Sequence, residues 1–220
     1  MKKIRQIFDF FLPKKILNTF FPLALTLHKR RILFGCSKII KTEALPWKNS
    51  EWSNHTDFID MNQRSSAVLD ASLQYIPKNY KVIDVCCNIG KLSSALVNSG
   101  YNKVYGFDVM ISASLHRAQI FPNLKSENFK TLDFFEWSKL DEKFDAAVIV
   151  TAVLELIHPC INPFKVFKDK NIKIIVATIC ENKHTYPRYY SLIARLYGYK
   201  IIFRKKVDRD SNLYVFRNKL

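Results

Sequence analysis

Three carboxylates lie within, at the end of, or just beyond a strand-like segment, close to where a sheet protein binds its ligand. They are Asp84, Asp108 and Asp133. Because ligands of open α/β sheets bind beyond the carboxyl ends of the strands, the three acids are expected around one site. Asp108 can accept hydrogen bonds from both hydroxyls of a ribose, and Asp133 with the adjacent Phe134 can hold and stack an adenine. The spacing therefore predicts a nucleotide-like ligand.

The turn between the first predicted strand and the helix that follows it is built from small or turn-forming residues. It runs Cys86-Cys87-Asn88-Ile89-Gly90. Such residues allow a ligand to approach the backbone where the chain enters the helix. We expect Cys86 to fit this turn only with a negative φ, whereas Asn88 tolerates left-handed backbone better than most residues.

His158 and Glu155 are the candidate catalytic residues on the acceptor side. An imidazole titrates near neutral pH, so His158 could act as a general base for a hydroxyl acceptor. The alternative is a surface histidine at the end of a helix. Glu155 is either a second polar group in the site or a solvated helix residue.

The elements that position these residues alternate between strand and helix. Strand-like segments cover residues 81–87, 103–108, 129–132, 144–150, 172–180, 199–207 and 212–217. Helix-like segments cover 90–99, 112–120, part of 152–158, 163–168 and 186–196, after a first helix capped by Asp57 and running to about Tyr75. This alternation predicts an α/β fold with a doubly wound, seven-stranded sheet whose first five strands run parallel. The last two strands are joined by a turn and form a C-terminal antiparallel hairpin.

Positive charge is concentrated at the start of the 220-residue chain. The formal charge is +16, and residues 1–41 hold ten Lys or Arg against one acid. Apolar residues in 3–12 recur with helical spacing and predict a basic amphipathic helix. We divide the chain into an N-terminal segment and linker, 1–57, and a main domain, 58–220. The first part either lies on an anionic membrane surface or forms helices that pack on the main domain.

The cysteines and the apolar runs indicate the compartment. The five Cys form no CxxC pair, so neither a disulfide framework nor a metal site is expected. The apolar run 16–27 has twelve residues, which is shorter than the ~20 that a spanning helix needs. Asp9 and Pro13 interrupt a secretory signal. We expect a cytoplasmic protein, either free or peripheral on the inner face of a membrane.

The segment from Asp84 to Gly90, with the acids at 108 and 133, resembles the class I S-adenosylmethionine-dependent methyltransferases. Their first motif is an acid followed by a hydrophobic residue and three alternating glycines. Asp84 and Gly90 match it, and Cys86 and Asn88 replace the first two glycines. The resemblance covers residues 58–217 and implies a Rossmann-like sheet in which the seventh strand lies antiparallel beside the fifth.

The resemblance also implies the cofactor and the roles of the site residues. The cofactor would be S-adenosyl-L-methionine, with Asp84 orienting its amino group and Asp108 binding its ribose. Asp133 and Phe134 would contact the adenine. Cys86, Asn88 and Gly90 would form the cofactor loop, and the segment from Val150 to Glu155 would line the methionine side, with Thr151 among the cofactor contacts.

Three functions remain open at this stage. The first is methyl transfer to an O or N of a small-molecule, lipid-linked or glycan-linked acceptor, a reaction that could take place at a membrane surface. The second is RNA methylation, with residues 1–41 as an electrostatic clamp. The third is a binding protein that has lost catalysis, because two glycines are replaced. The strong interleaving of Phe, Leu and Ile with the basic residues of 1–41 disfavours RNA.

Overall fold

The computed structural model describes residues 61–109, 117, 119–150, 163–180, 194–195 and 197–219. The predicted N-terminal segment 1–57 lies outside the described residues. So do segments 110–116, 151–162 and 181–193, which separate β2 from β3, β4 from β5 and β5 from β6 in the numbering below.

Strands and helices alternate along the described chain as far as the C-terminal hairpin. The strands are β1 (Val82–Val85), β2 (Val104–Asp108), β3 (Phe129–Thr131), β4 (Ala146–Val150), β5 (Ile174–Cys180), β6 (Tyr199–Lys206) and β7 (Ser211–Asn218). The helices with described bounds are α1 (Gln63–Tyr75), α2 (Lys91–Asn98), α3 (Phe134–Lys139) and α4 (Pro163–Asp169).

The seven strands form one sheet in the order β3-β2-β1-β4-β5-β7-β6. Strands β1 to β5 run parallel, and the order reverses direction between β1 and β4. β7 inserts antiparallel between β5 and β6, with Ile174 opposite Arg217 and Cys180 opposite Ser211. The predicted seven-stranded sheet and its antiparallel C-terminal hairpin are confirmed.

The core occupies both faces of the sheet. On one face, Trp137 of α3 and Phe164 and Phe167 of α4 pack against the strands. On the other, Val68 of α1 and Leu96 of α2 do so. All four residues of β1 are buried, as expected for a parallel strand covered on both sides.

The predicted helices differ from the observed ones at two places. α1 is capped by Asn62, whose Oδ1 accepts the Ser65 N–H at 2.8 Å, so the prediction that Asp57 caps it is wrong. An Asn cap satisfies amide donors that would otherwise lack partners at the helix start. α3 was not predicted from its apolar pattern, although Asp133 and Glu136 form a reciprocal capping box at its start.

No helix among the described residues is long and apolar enough to cross a membrane.

Candidate functional site

The loop from Cys86 to Gly90 joins β1 to α2 with a sharply turned backbone. Cys86, Asn88 and Gly90 all have positive φ, at 58°, 52° and 89°. The condition under which we expect Cys86 to replace glycine without strain, a negative φ, is therefore not met. Left-handed backbone costs roughly 1–2 kcal/mol at a residue with a Cβ, so other contacts must hold this loop. The Cys87 N–H donates to the Phe107 carbonyl at 3.0 Å, which ties the loop to β2.

Asp84 lies in β1, two residues before the loop, and is buried with 2% of its surface exposed. Its Oδ2 accepts the Ser93 hydroxyl of α2 at 2.7 Å. Burial raises the pKa of Asp84 to about 7, and the nearby Asp108 carboxylate acts in the same direction. The Ser93 hydrogen bond and the Arg117 charge oppose this rise without cancelling it.

Asp108 ends β2 next to the loop. It is 7% exposed, and its Oδ2 accepts the Asn88 N–H at 2.8 Å. β1 and β2 are neighbouring parallel strands, so Asp84 and Asp108 reach the same edge of the sheet. The structure thus brings Asp84, Asn88, Gly90 and Asp108 together, while their roles toward a cofactor stay predictions.

Asp133 lies at the same edge, one strand further along. β3 pairs with β2, and the Leu132 N–H donates to the Asp108 carbonyl at 3.0 Å. One Asp133 oxygen accepts the Glu136 N–H at 2.7 Å and caps α3. Asp133 therefore has a structural role, while its partial exposure leaves it accessible to a ligand.

Phe134 is partly buried in an aromatic cluster. Its ring centroid lies 6.4 Å from that of Phe107, 5.5 Å from Trp137 and 5.9 Å from Phe167. Most of its contacts are core contacts, so an adenine could meet only the part of the ring left exposed.

Thr151, Glu155 and His158 lie outside the described residues. Their roles on the methionine and acceptor sides stay predictions.

Two residues that the sequence did not single out complete the site. Ser93 is the hydrogen-bond donor to Asp84. Arg117 lies behind the loop, and its Nη2 donates to the Asn88 carbonyl at 2.7 Å. Neither belongs to a short motif, because each reaches the loop from a helix rather than from the strand ends.

Both loop thiols are held in the neutral form. Burial raises the pKa of Cys86 and of Cys87 well above the ordinary value, with the neighbouring carboxylates adding to the effect. A thiolate is the nucleophilic form of cysteine, so these thiols are suited to packing rather than to attack. Among the described residues, no group of His, Cys, Asp and Glu is arranged to hold a metal ion.

An unsatisfied polar atom in the loop provides a test of whether a polar cofactor fits here. Asn88 Oδ1 is buried and has no hydrogen-bond partner in the described part of the chain. Buried amide oxygens are normally paired, so this one is available to an N–H or O–H donor of a ligand. The acids at 84 and 108, the Asn88 oxygen and the turned loop together suit a ligand that carries an amino group and ribose hydroxyls.

The comparisons with solved structures show the fold. The chain is similar to magnesium protoporphyrin IX methyltransferase from Synechocystis PCC 6803 with bound SAH, at a TM-score of 0.58 and 14% identity, over 94% of this chain and 99% of that one. It is similar to the N-methyltransferase NodS from Bradyrhizobium japonicum WM9, at 0.57 and 15%, over 71% and 94%. It is also similar to the ribosomal protein L11 methylase from Lactobacillus delbrueckii subsp. bulgaricus, at 0.55 and 16%, over 71% and 80%.

The fold is therefore that of the class I methyltransferases, as the resemblance predicted. No protein-family model matches the chain, and no curated protein matches it. Two of these structures are named for different acceptors, magnesium protoporphyrin IX and ribosomal protein L11, so the shared fold leaves the acceptor of this chain undetermined.

Proposed function

We propose that the protein is an S-adenosylmethionine-dependent methyltransferase. The observation that carries the proposal is the cluster of Asp84, Asn88 and Asp108 at the ends of β1 and β2, around a loop that leads into α2. The acids and the unpartnered Asn88 oxygen match the amino group and ribose of this cofactor. The magnesium protoporphyrin IX methyltransferase from Synechocystis PCC 6803, which was solved with bound SAH, supports the proposal because this chain has a similar fold.

Each site residue has a role in this proposal. Asp84 binds the amino group of the methionine part, and Asp108 binds the ribose hydroxyls. The loop residues Cys86, Asn88 and Gly90 allow the cofactor to approach the backbone, and the N-terminus of α2 favours its carboxylate. Asp133 and the exposed part of Phe134 contact the adenine, and Thr151 lines the methionine side.

The cofactor, when bound, supplies a methyl group on a sulfonium with a good leaving group. The chain's own residues therefore need mainly to orient the acceptor and exclude water. We assign the acceptor-side roles to His158, as the base that takes a proton from a hydroxyl acceptor, and to Glu155, as a second polar group.

We place the acceptor among small molecules and lipid-linked or glycan-linked groups, with methyl transfer to an O or N. The supporting features are in the sequence. Residues 1–41 combine basic and bulky apolar side chains, which suits an anionic membrane surface better than an RNA. The proposal includes a cytoplasmic location, either free or on the inner face of a membrane, and a division of the chain into 1–57 and 58–220.

A feature of the C-terminal hairpin favours RNA methylation as a second candidate. Residues 199–219 carry seven basic side chains against two acids, and Lys200 lies directly opposite Arg217 across β6 and β7. Like charges directly opposite each other destabilise a strand pair. The phosphates of a bound RNA would offset this repulsion. Edge strands also carry lysines simply to prevent aggregation, which is why we rank RNA second.

An acceptor-partition experiment separates the two candidates. The full-length protein is incubated with methyl-labelled cofactor and either a lipid and glycan extract or total RNA from the source cell. We expect label in the lipid or glycan fraction, and none with an Asp108→Ala control. Label in RNA, with affinity that falls steeply as salt rises, would establish the second candidate. A protein that binds no cofactor would be a methyltransferase-like binding protein.

A further inference from the structure

A buried arginine lies directly behind the loop. Arg117 has 5% of its surface exposed, and its guanidinium lies 4.9 Å from the centre of the Phe129 ring. Nη2 donates to the Asn88 carbonyl at 2.7 Å and lies 3.7 Å from Cys87 Sγ. A cation this deeply buried is retained only where its charge is compensated.

Both backbone polar groups of Asn88 are held by buried charged side chains of opposite sign. Asp108 accepts the Asn88 N–H, and Arg117 donates to the Asn88 carbonyl. Asn88 itself has a φ of 52°, in the left-handed region, and Cys86 has one of 58°. In a loop with glycine at these positions, such φ values would cost little. Here the two charged groups hold the conformation that glycine would otherwise allow.

Arg117 also fills the space beside the one glycine that remains in the loop. A Cβ built on Gly90 would lie 3.3 Å from Arg117 Cδ and 2.7 Å from Leu124 Cδ1. The arginine stem and the leucine therefore pack directly against the loop. The guanidinium thus contacts the loop at Asn88, and the aliphatic stem contacts it at Gly90.

We propose that Arg117 is a positioning residue for the cofactor: it holds the loop from Cys86 to Gly90 in its left-handed conformation and supplies a positive charge close to Asp84. The part of this inference that concerns the cofactor rests on the proposed function. The part that concerns the loop does not, and it is tested separately.

The electrostatic part of the proposal has a measurable consequence. The groups that act on Asp84 are Ser93 from α2, Asp108 from β2 and Arg117 from behind the loop. Arg117 is the cation among them, and it lowers the pKa of Asp84. When the positive charge of Arg117 is removed, the Asp84 and Asp108 carboxylates lie near each other without a nearby cation, so the pKa of Asp84 rises further. The pH at which S-adenosylhomocysteine affinity is half lost should therefore move up relative to the wild type.

The proposal that Arg117 holds the loop is tested by measuring the reactivity of the two loop thiols. Cys87 is buried and Cys86 is partly exposed, and both lie in the single tryptic peptide from Val82 to Lys91. The rate at which N-ethylmaleimide labels this peptide therefore reports how firmly the loop is held, without any cofactor. The measurement is unaffected by Cys36, Cys160 and Cys180, which fall in other peptides.

Two variants separate the roles of charge and shape. In Arg117→Met, which keeps an apolar stem, we expect loop labelling at least about fivefold faster and the upward shift in the pH profile. In Arg117→Lys, which keeps the charge but not the planar guanidinium, we expect faster labelling with the pH midpoint unchanged. Arg204→Met is the matched control, because Arg204 also lies over an aromatic ring, 5.4 Å from the centre of Tyr214, but in the hairpin.

The outcomes are distinguishable. Wild-type labelling rates in both Arg117 variants would overturn the loop part, and an unchanged pH midpoint in Arg117→Met would overturn the charge part. If the Met variant does not fold, as judged by its thermal transition, wild-type labelling in Arg117→Lys alone overturns the proposal. If the wild-type protein binds no S-adenosylhomocysteine, the proposed function fails, and the labelling rates still decide whether Arg117 holds the loop.

Discussion

Asp84 is a buried carboxyl whose ionisation opposes the stability of the fold. Its pKa is raised from 3.8 to about 7, mainly by burial. Between these values the folded chain holds a proton that the unfolded chain has lost. The stabilisation from that proton is fully present below pH 3.8 and is lost as the pH rises through 7. At pH 8, Asp84 is therefore ionised and destabilises the cofactor-free protein. The same ionised form is the one that binds an ammonium group.

Asp84→Asn should consequently stabilise the protein at pH 8 and abolish binding of S-adenosylhomocysteine. Asn removes the buried charge and keeps an oxygen that can accept the Ser93 hydroxyl. We expect the free energy of unfolding to rise by about 1–2 kcal/mol, or the Tm by roughly 3–6 °C, with a smaller gain at pH 5. Thermal unfolding at the two pH values checks this. A lower Tm at pH 8, or an equal gain at both values, would contradict it.

The same ionisation predicts the pH dependence of the wild-type protein. Only ionised Asp84 attracts the amino group, so a one-proton equilibrium with a pKa of about 7 controls binding. The affinity for S-adenosylhomocysteine should be about tenfold lower at pH 6 than at pH 8. Isothermal titration at both values measures this, and a flat profile would show that Asp84 does not bind the amino group.

At the scale of single residues, the sequence predicted the groups that follow strands and missed those that come from helices. Asp108 is identified by its position at the end of a strand, and Asp84 by its match to the first motif of the methyltransferases. Ser93 and Arg117 carry no such local signal, and only the fold shows that they reach the loop. The positive φ of Cys86 is also a tertiary effect, because the contacts that support it come from β2 and from Arg117.

At the scale of elements, the connection from β1 to α2 is closely constrained by its backbone conformation and its neighbours. Gly90 caps α2 with a φ of 89° and no side-chain hydrogen bond. A Cβ there would lie 2.7 Å from Leu124 Cδ1. Gly100 offers a matched comparison, since it has a φ of 92° and would place its Cβ in open space.

Gly90→Ala should destabilise the protein more than Gly100→Ala. Both variants pay for left-handed backbone, which costs roughly 1–2 kcal/mol. The Gly90 variant must in addition displace Leu124, and overpacking of this kind costs about 1–3 kcal/mol. Denaturant unfolding of both variants gives the comparison. Equal losses would mean that the space around Gly90 is not constrained, contrary to the contacts described.

The elements were predicted well wherever the hydrophobic pattern is regular. All seven strands were predicted to within two residues at the N-terminal end and two at the C-terminal end. α3 was missed because its six residues are too few to show a helical period, and the only local signal is the Asp133–Glu136 capping box. α1 begins at Asn62 rather than near Asp57, because either residue type is a favourable cap and the sequence does not choose between them.

At the scale of the whole molecule, the strand order determines where the site lies. The order reverses between β1 and β4, and ligands of open α/β sheets bind at such a point, beyond the carboxyl ends of the strands. The acids at 84 and 108 lie on one side of that point. The residues that follow β4, where the acceptor-side groups were predicted, lie outside the described chain.

The distribution of charge over the molecule is uneven beyond residues 1–41. The hairpin residues 199–219 carry a net charge of +5 out of the formal +16. Elsewhere the described lysines are often paired, as in Lys173 with Asp145 at 2.8 Å. The N-terminal cluster is evident from the sequence alone, whereas the exposed position of the basic hairpin follows from the sheet order, in which β6 is an edge strand.

The central claim is that Asp108 and the loop form a cofactor site, and thermal unfolding with S-adenosylhomocysteine tests it most directly. At a hundredfold excess over its Kd, a ligand adds about 2.7 kcal/mol. For a chain of this size, the Tm should rise by roughly 5–10 °C. Asp169→Ala is the control, since Asp169 is an exposed acid paired with Lys165 at the end of α4. We expect S-adenosylhomocysteine to raise the Tm of the wild type and of Asp169→Ala, but not that of Asp108→Ala. An unchanged Tm in the wild type, or a full rise in Asp108→Ala, would contradict the claim.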